Sequence, residues 1–258
     1  MSVALVTGGT SGIGLAFAES FATRGYDLVL VARNLDRLES TAAQLREKYR
    51  VDVETLVADL INRDDVTKVA NRLEDPERPV DVLVNNAGFG VHVRLLEPDT
   101  TLQENAIAAM ATAVLILSSA AGRAMVSRGK GTIINVSSAS AFIATGNYSA
   151  IKRWVLTFTE ALALELEGTG VQATAVCPGW AKTEFHARTG TKRPNLPGWL
   201  WVKPEEVAEA AIKAAATGKV MVVPKLPWKI AIFVADHGPK GILRAVSRKI
   251  SRSRGHRK

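Results

Sequence analysis

The sequence predicts an α/β fold: a single doubly wound domain with a seven-stranded parallel sheet and helices on both faces. Three observations predict it. Seven short runs rich in Val, Ile and Leu recur along the chain. They alternate with longer segments that repeat apolar residues one helical turn apart. A glycine-rich turn joins the first run to the first periodic segment. Strands that are apolar at nearly every position are buried on both faces, and helical crossovers between them require a parallel sheet covered on both sides.

In chain order the strand candidates are VALVT (3–7), DLVLVA (27–32), VETLVA (53–58), VDVLVN (80–85), TIINVS (132–137), QATAVC (172–177) and KVMVVP (219–224). Segments such as LAFAESFATRG, LDRLESTAAQLREKY and TFTEALALELEG lie between them, the first and third with Gly after the last turn. The expected organisation is one domain over residues 1–224, with a substrate loop at about 180–203, and a basic amphipathic tail over 225–258.

At 258 residues, 47% hydrophobic, the chain is long enough to bury one large core. Its single cysteine, Cys177, excludes an internal disulfide, offers no metal-ligand cluster and fits a reducing compartment. The opening MSVALVTGG enters a strand directly, with no room for a signal peptide, so a cytoplasmic location is expected. One uncharged, helix-like run, Ala106 to Gly122, is Ala-rich and contains Ser and Thr. It sits at the lower margin of the roughly 17–25 apolar residues a membrane span needs and reads better as a core helix. The net charge of +8 is uneven: residues 225–258 hold ten Lys/Arg and one Asp, against 23 basic and 24 acidic residues before them.

The turn TGGTSGIG (Thr7 to Gly14) opens the first helix. Glycines permit a sharp turn and a close ligand approach, and the free amides at a helix start favour phosphate. Taken alone it could be a plain turn, but between the first strand and helix of an alternating chain it marks a dinucleotide site of the Rossmann type. The spacing Gly8, Gly12, Gly14 resembles the short-chain dehydrogenase/reductase family, whose loop reads T-G-x-x-x-G-x-G. The resemblance implies cofactor contacts from Gly8, Thr10, Ser11, Gly12, Ile13 and Gly14. About 20 residues past such a loop, an acidic residue would bind the ribose hydroxyl of NAD and an arginine the 2′-phosphate of NADP. VLVARN places Arg33 there, so NADP(H) is expected over NAD(H), although Arg33 could also be a solvated loop residue.

Further motifs follow in the family's order. Asp59 and Leu60 end the third strand, where the resemblance implies contact with adenine; a helix cap is the other reading of Asp59. NNAG (Asn85 to Gly88) ends the fourth, with Asn86, Ala87 and Gly88 beside the cofactor. TIINVSS carries Ser137 and Ser138 to the carboxyl edge of the sheet. Tyr148 begins the next helix and Lys152 follows at i+4 on the same face. A phenol with a pKa of about 10 is a poor proton donor or acceptor at neutral pH, and an ammonium within about 4–6 Å lowers that value. A serine hydroxyl opposite would hold the reacting oxygen. The resemblance spans roughly residues 3–224 and implies that Ser138 orients a carbonyl, Tyr148 moves the proton, and Lys152 binds the nicotinamide ribose and tunes Tyr148. CPGWAKTEF supplies Pro178, Gly179 and Thr183 for the family's nicotinamide-contacting segment.

One family residue is missing. The asparagine that usually holds a relay water in the fourth helix falls on Met110, 22 residues after Gly88 and 28 before Ser138; Asn105 lies off register. The relay is therefore expected to run through backbone carbonyls and water, or to be weakened.

Trp180, Phe185, Trp199, Leu200 and Trp201, with Phe89, His92 and Phe142, are the expected walls for an apolar or amphipathic carbonyl or alcohol; core packing under a lid is the alternative. The resemblance implies a homo-oligomer, dimer or tetramer, built through the helix holding Met110 and the one holding Tyr148. The tail's ILRAVSRKI predicts peripheral membrane contact, against an apolar part that docks on its own domain; no nucleic acid is expected. The function expected is NADP-dependent hydride transfer to or from a carbonyl or alcohol. A nucleotide-binding regulatory or scaffold protein is the alternative, and the intact Ser138, Tyr148 and Lys152 argue for the enzyme.

Overall fold

Runs of Val, Leu and Ile form the strands because a β-branched or γ-branched side chain on each face can be buried between two helical layers. The computed structural model describes residues 2–91, 93–181 and 197–237. Seven strands, β1 (Val3–Thr7), β2 (Asp27–Ala32), β3 (Val53–Val57), β4 (Val82–Asn85), β5 (Gly131–Val136), β6 (Val171–Val176) and β7 (Met221–Val222), make one sheet in the order β3-β2-β1-β4-β5-β6-β7. Every pairing is parallel. The seven predicted strands are all present. The last is shorter than KVMVVP because it has one neighbour only, and its ladder to β6 is confined to Ala175 and Val176.

Around the sheet run α1 (Gly12–Thr23), α2 (Leu35–Tyr49), α3 (Arg63–Glu74), α4 (Thr101–Ile107), α5 (Ala113–Arg128), α6 (Asn147–Glu165), α7 (Pro204–Ala216) and α8 (Leu226–His237). One core layer joins α3, α4 and α5 to a sheet face through Val66, Val69, Leu73, Ala106, Leu117 and Met125. The other joins α1, α2 and α7 to the opposite face through Phe17, Phe21, Leu38, Leu45 and Val207.

Residues 101–128 are long and apolar enough to cross a membrane by length and composition, but 61% of their apolar window is buried inside the protein. They are a core helix, and not a continuous one: a π turn at Ala108–Thr112, centred on Met110, separates α4 from α5. Beyond β7, α8 seats Ile232 and Ala235 against Phe142, Leu156, Cys177 and Val223. The apolar start of the tail thus docks on its own domain, whereas residues 238–258 lie outside the described residues.

Candidate active site

The strand order reverses between β1 and β4, so their carboxyl ends splay into a crevice, the place where open α/β sheets bind ligands. The glycine loop lines one side. Gly8 and Gly12 take positive φ, +67° and +55°, which residues with a Cβ rarely adopt. A Cβ on Gly14 would overlap the Gly8 carbonyl and press on the Asn86 amide. Asn34 caps α2 and Asn62 caps α3, whereas Ser11 makes no side-chain cap on α1 and no acidic residue sits in its first turn. An uncapped, positively polarised helix start facing the crevice fits the pyrophosphate of a dinucleotide.

The two asparagines of NNAG do different jobs. Asn85 is buried and its amide donates to Ser118 Oγ (3.0 Å) on α5 and to Asn135 Oδ1 (2.9 Å) on β5; Asn135 in turn donates to Thr159 Oγ1 (2.9 Å) on α6. Asn86 turns the other way and donates to the Thr7 carbonyl (2.9 Å), while Thr7 Oγ1 accepts from the backbone amides of Asn86 and Ala87. The pair ties β4 to both neighbours at the crevice. Gly88 lies against the Met110 sulfur, so the residue in the relay position packs directly under this loop.

β5 carries Ser137 and Ser138 to the carboxyl edge of the sheet. Ser138 caps a 3-10 turn (Ala139–Phe142), its Oγ accepting from Ser140 N at 3.1 Å. The preceding hydroxyl, Ser137 Oγ, donates to the Lys152 carbonyl (2.7 Å) and fixes the first turns of α6 against the strand end. The Lys152 side chain runs inward, 5% exposed; Nζ donates to the Val136 carbonyl at 2.8 Å and lies 5.8 Å from the Tyr148 ring centroid. Burial lowers the Lys152 pKa to about 8, and it pushes the neighbouring Cys177 thiol up to about 12. At neutral pH the amine is still mostly charged and close to the phenol, the arrangement that favours a phenolate.

At the carboxyl ends of β2 and β3, Arg33 reaches Asp59 across 3.8 Å, both side chains being exposed. Asp59 Oδ1 also accepts from Ile61 N (3.1 Å), a local turn; the cap of α3 is Asn62 instead. The Leu60 side chain is buried in the core layer. A residue missed in the sequence is Arg37, whose Nε donates to the Thr10 carbonyl (3.2 Å) in the glycine loop. Its position at i+4 from Arg33, in the first turn of a helix capped by Asn34, was the signal available.

After β6, the Pro178 carbonyl accepts from Ala139 N (2.8 Å), joining the β5 and β6 loops. The two ends of the segment expected to be the substrate loop are joined by a bridge between Ala181 and Val202 and by the edge-on contact of Trp180 with Trp201. Thr183, Phe185 and His92 lie outside the described residues. Phe142 is a correction: it packs in the cluster beneath α8, with the Arg153 guanidinium over its ring. A second missed residue is Trp228 of α8. Its ring covers Gly179, where any Cβ would collide with it, and its Nε1 donates to the Leu200 carbonyl (2.8 Å).

Comparisons with known proteins agree with this geometry. The family described as short chain dehydrogenase matches residues 2–194. Galactitol 2-dehydrogenase (L-tagatose-forming) of Cereibacter sphaeroides is 33% identical over 238 residues, covering 85% of this chain and 92% of that one. The very-long-chain 3-oxoacyl-CoA reductase of Bos taurus is 32% identical over 222 residues, 81% of this chain and 67% of its own. A short-chain dehydrogenase from Sphingobium yanoikuyae, solved in complex with NADPH, superposes with a TM-score of 0.84 at 33% identity over 95% of this chain and 96% of that one.

Proposed function

From the premise that the chain belongs to the short-chain dehydrogenase family and is an NAD(P)-dependent oxidoreductase of alcohol and carbonyl groups, we propose that Tyr148 is its acid/base and NADP(H) its preferred cofactor. The observation that carries this reading is the buried Lys152 ammonium beside Tyr148, held to Val136 at the end of β5, two residues before Ser138.

When bound, the nicotinamide supplies the hydride. In reduction, the Tyr148 hydroxyl gives its proton to the carbonyl oxygen as the carbon gains the hydride, which completes a CH–OH group. Ser138 holds that oxygen by a hydrogen bond, and Lys152 stabilises the phenolate left behind. Oxidation runs the same steps backwards. Proton supply to Tyr148 passes Met110, which offers no side-chain donor, so backbone groups of the π turn and water carry it.

Arg33 just after β2 and Arg37 against the glycine loop support the NADP(H) preference, since a 2′-phosphate there would gain charge-assisted hydrogen bonds. Trp180, Trp201 and the half-buried Phe89 support an apolar or amphipathic substrate. The sparing use of cysteine, a single buried Cys177, supports a cytoplasmic setting. Assembly through α4, α5 and α6 is supported by the exposed Leu102, Ile107, Leu115, Trp154 and Leu164.

The test is NADPH consumption across ketones, aldehydes and 3-oxoacyl thioesters, with Tyr148→Phe as control. Loss of about 10²-fold or more in the control is expected; equal rates remove the mechanism, tighter binding of NADH removes the cofactor preference, and faster turnover of small sugars than of long-chain ketones removes the apolar substrate.

A further inference from the structure

We propose that α8 is an interfacial anchor for an anionic lipid surface. The helix has two apolar faces. One is docked: Ile232 is buried, and Trp228 and Ala235 pack on the domain. The other has no cover among the described residues: Leu226, Ile230, Phe233 and Val234 are 66%, 58%, 64% and 56% exposed. Their spacing of i, i+4, i+7 and i+8 makes one continuous stripe along the helix.

Charge decides among occupants. Lys229 is exposed beside the stripe, and the single acid of the helix, Asp236, is paired with Arg153 at 3.8 Å. Residues 238–258 add eight Lys/Arg and no acidic residue. Two copies meeting at this face would bring those charges together and bury only a small patch, well short of a stable dimer interface. An anionic membrane reverses the sign: an apolar stripe enters the headgroup boundary while each nearby cation raises partition roughly fivefold. The docked face holds the neck of the substrate loop through Trp228, so a helix seated on a bilayer would bring the loop's entrance to the lipid.

The proposal does not depend on the assigned chemistry. It is tested by sedimenting the full chain with phosphatidylcholine vesicles, with and without phosphatidylserine. Expected is pelleting with phosphatidylserine only, weakened by salt and reduced about tenfold or more in Ile230→Glu/Phe233→Glu. Phe233→Ser serves as a milder second variant, and an unchanged far-UV circular dichroism spectrum and thermal midpoint show that either variant is folded. The proposal is overturned if the wild type stays in solution, if it pellets equally with neutral vesicles, or if both variants pellet like the wild type. A vesicle-free mass by light scattering that falls from dimer to monomer in the variants would show a second copy on this face and overturn it too.

Discussion

Lys152 Nζ donates a 2.8 Å hydrogen bond to the Val136 carbonyl, the last residue of β5, and this bond holds a buried amine under Tyr148. Burial lowers its pKa from 10.5 to about 8. Between those values the unfolded chain binds more protons than the native one. This group's contribution to stability therefore rises with pH across that window, and below it the group is a penalty of roughly 3 kcal/mol. Lys152→Met removes the penalty and leaves one carbonyl unpaired at a cost of about 1 kcal/mol. We expect turnover to vanish while the cofactor-free protein gains about 2 kcal/mol at neutral pH, a gain that fades towards pH 10.5. Thermal melts at both pH values read it; a Tm lowered at neutral pH contradicts it.

Removing the cations beside the glycine loop is expected to act on one cofactor only. Arg33→Ala and Arg37→Ala should each raise the NADPH Kd by about tenfold and leave that of NADH within about twofold, the scale of one charge-assisted hydrogen bond. Cofactor fluorescence titration measures both. Equal losses for the two cofactors would assign the arginines a purely structural role.

A methyl group at Gly14 has nowhere to go. Because it would overlap the Gly8 carbonyl, which is backbone, Gly14→Ala should cost about 2 kcal/mol of stability and weaken dinucleotide binding at least tenfold. Denaturant midpoints and titration check the two effects separately.

Met110 is 1% exposed and packed under Gly88. Met110→Asn buries an amide, which costs about 1–3 kcal/mol unless water pairs with it. If proton resupply limits the rate, it raises kcat nonetheless; Met110→Leu should change kcat by less than about twofold. A solvent isotope effect on kcat that shrinks in the Asn variant is the matching signature, and an Asn105→Ala variant that alone loses activity would move the relay there.

Trp228→Phe keeps the ring over Gly179 but loses the bond to the Leu200 carbonyl, worth about 1 kcal/mol. The neck of the substrate loop loosens. KM for bulky ketones should rise several-fold while kcat for small ones is unchanged; a uniform fall in kcat would place Trp228 in the chemistry instead.

The strands and the nucleotide loop were legible because each depends on near neighbours: branched apolar runs extend, and glycines at 8, 12 and 14 bend the chain wherever the sheet lies. Ser138, Tyr148 and Lys152 were legible for a similar reason, since a strand end and an i+4 spacing on one helix share a local geometry. Arg37 was not, because its role rests on a contact with Thr10 across 27 residues, between the first turn of α2 and the glycine loop. The π turn at Met110 was also hidden, because Ala, Met and Thr in a row fit an α-helix equally well.

Phe142 and Trp228 mark the same boundary. The sequence showed that aromatic residues cluster after the sixth strand and in the tail, and it offered Phe142, but not Trp228, as a candidate for the substrate wall. Only the folded chain decided which of them face the core. Phe142 is sealed beneath α8, Trp228 closes on Gly179, and Leu226, Ile230, Phe233 and Val234 of the same helix stay on the surface. The physical reason is that burial depends on which partner surfaces remain available after the sheet and its two helical layers have formed. That quantity is set by contacts distant in sequence, whereas strand, turn and helix are set by residues a few positions apart.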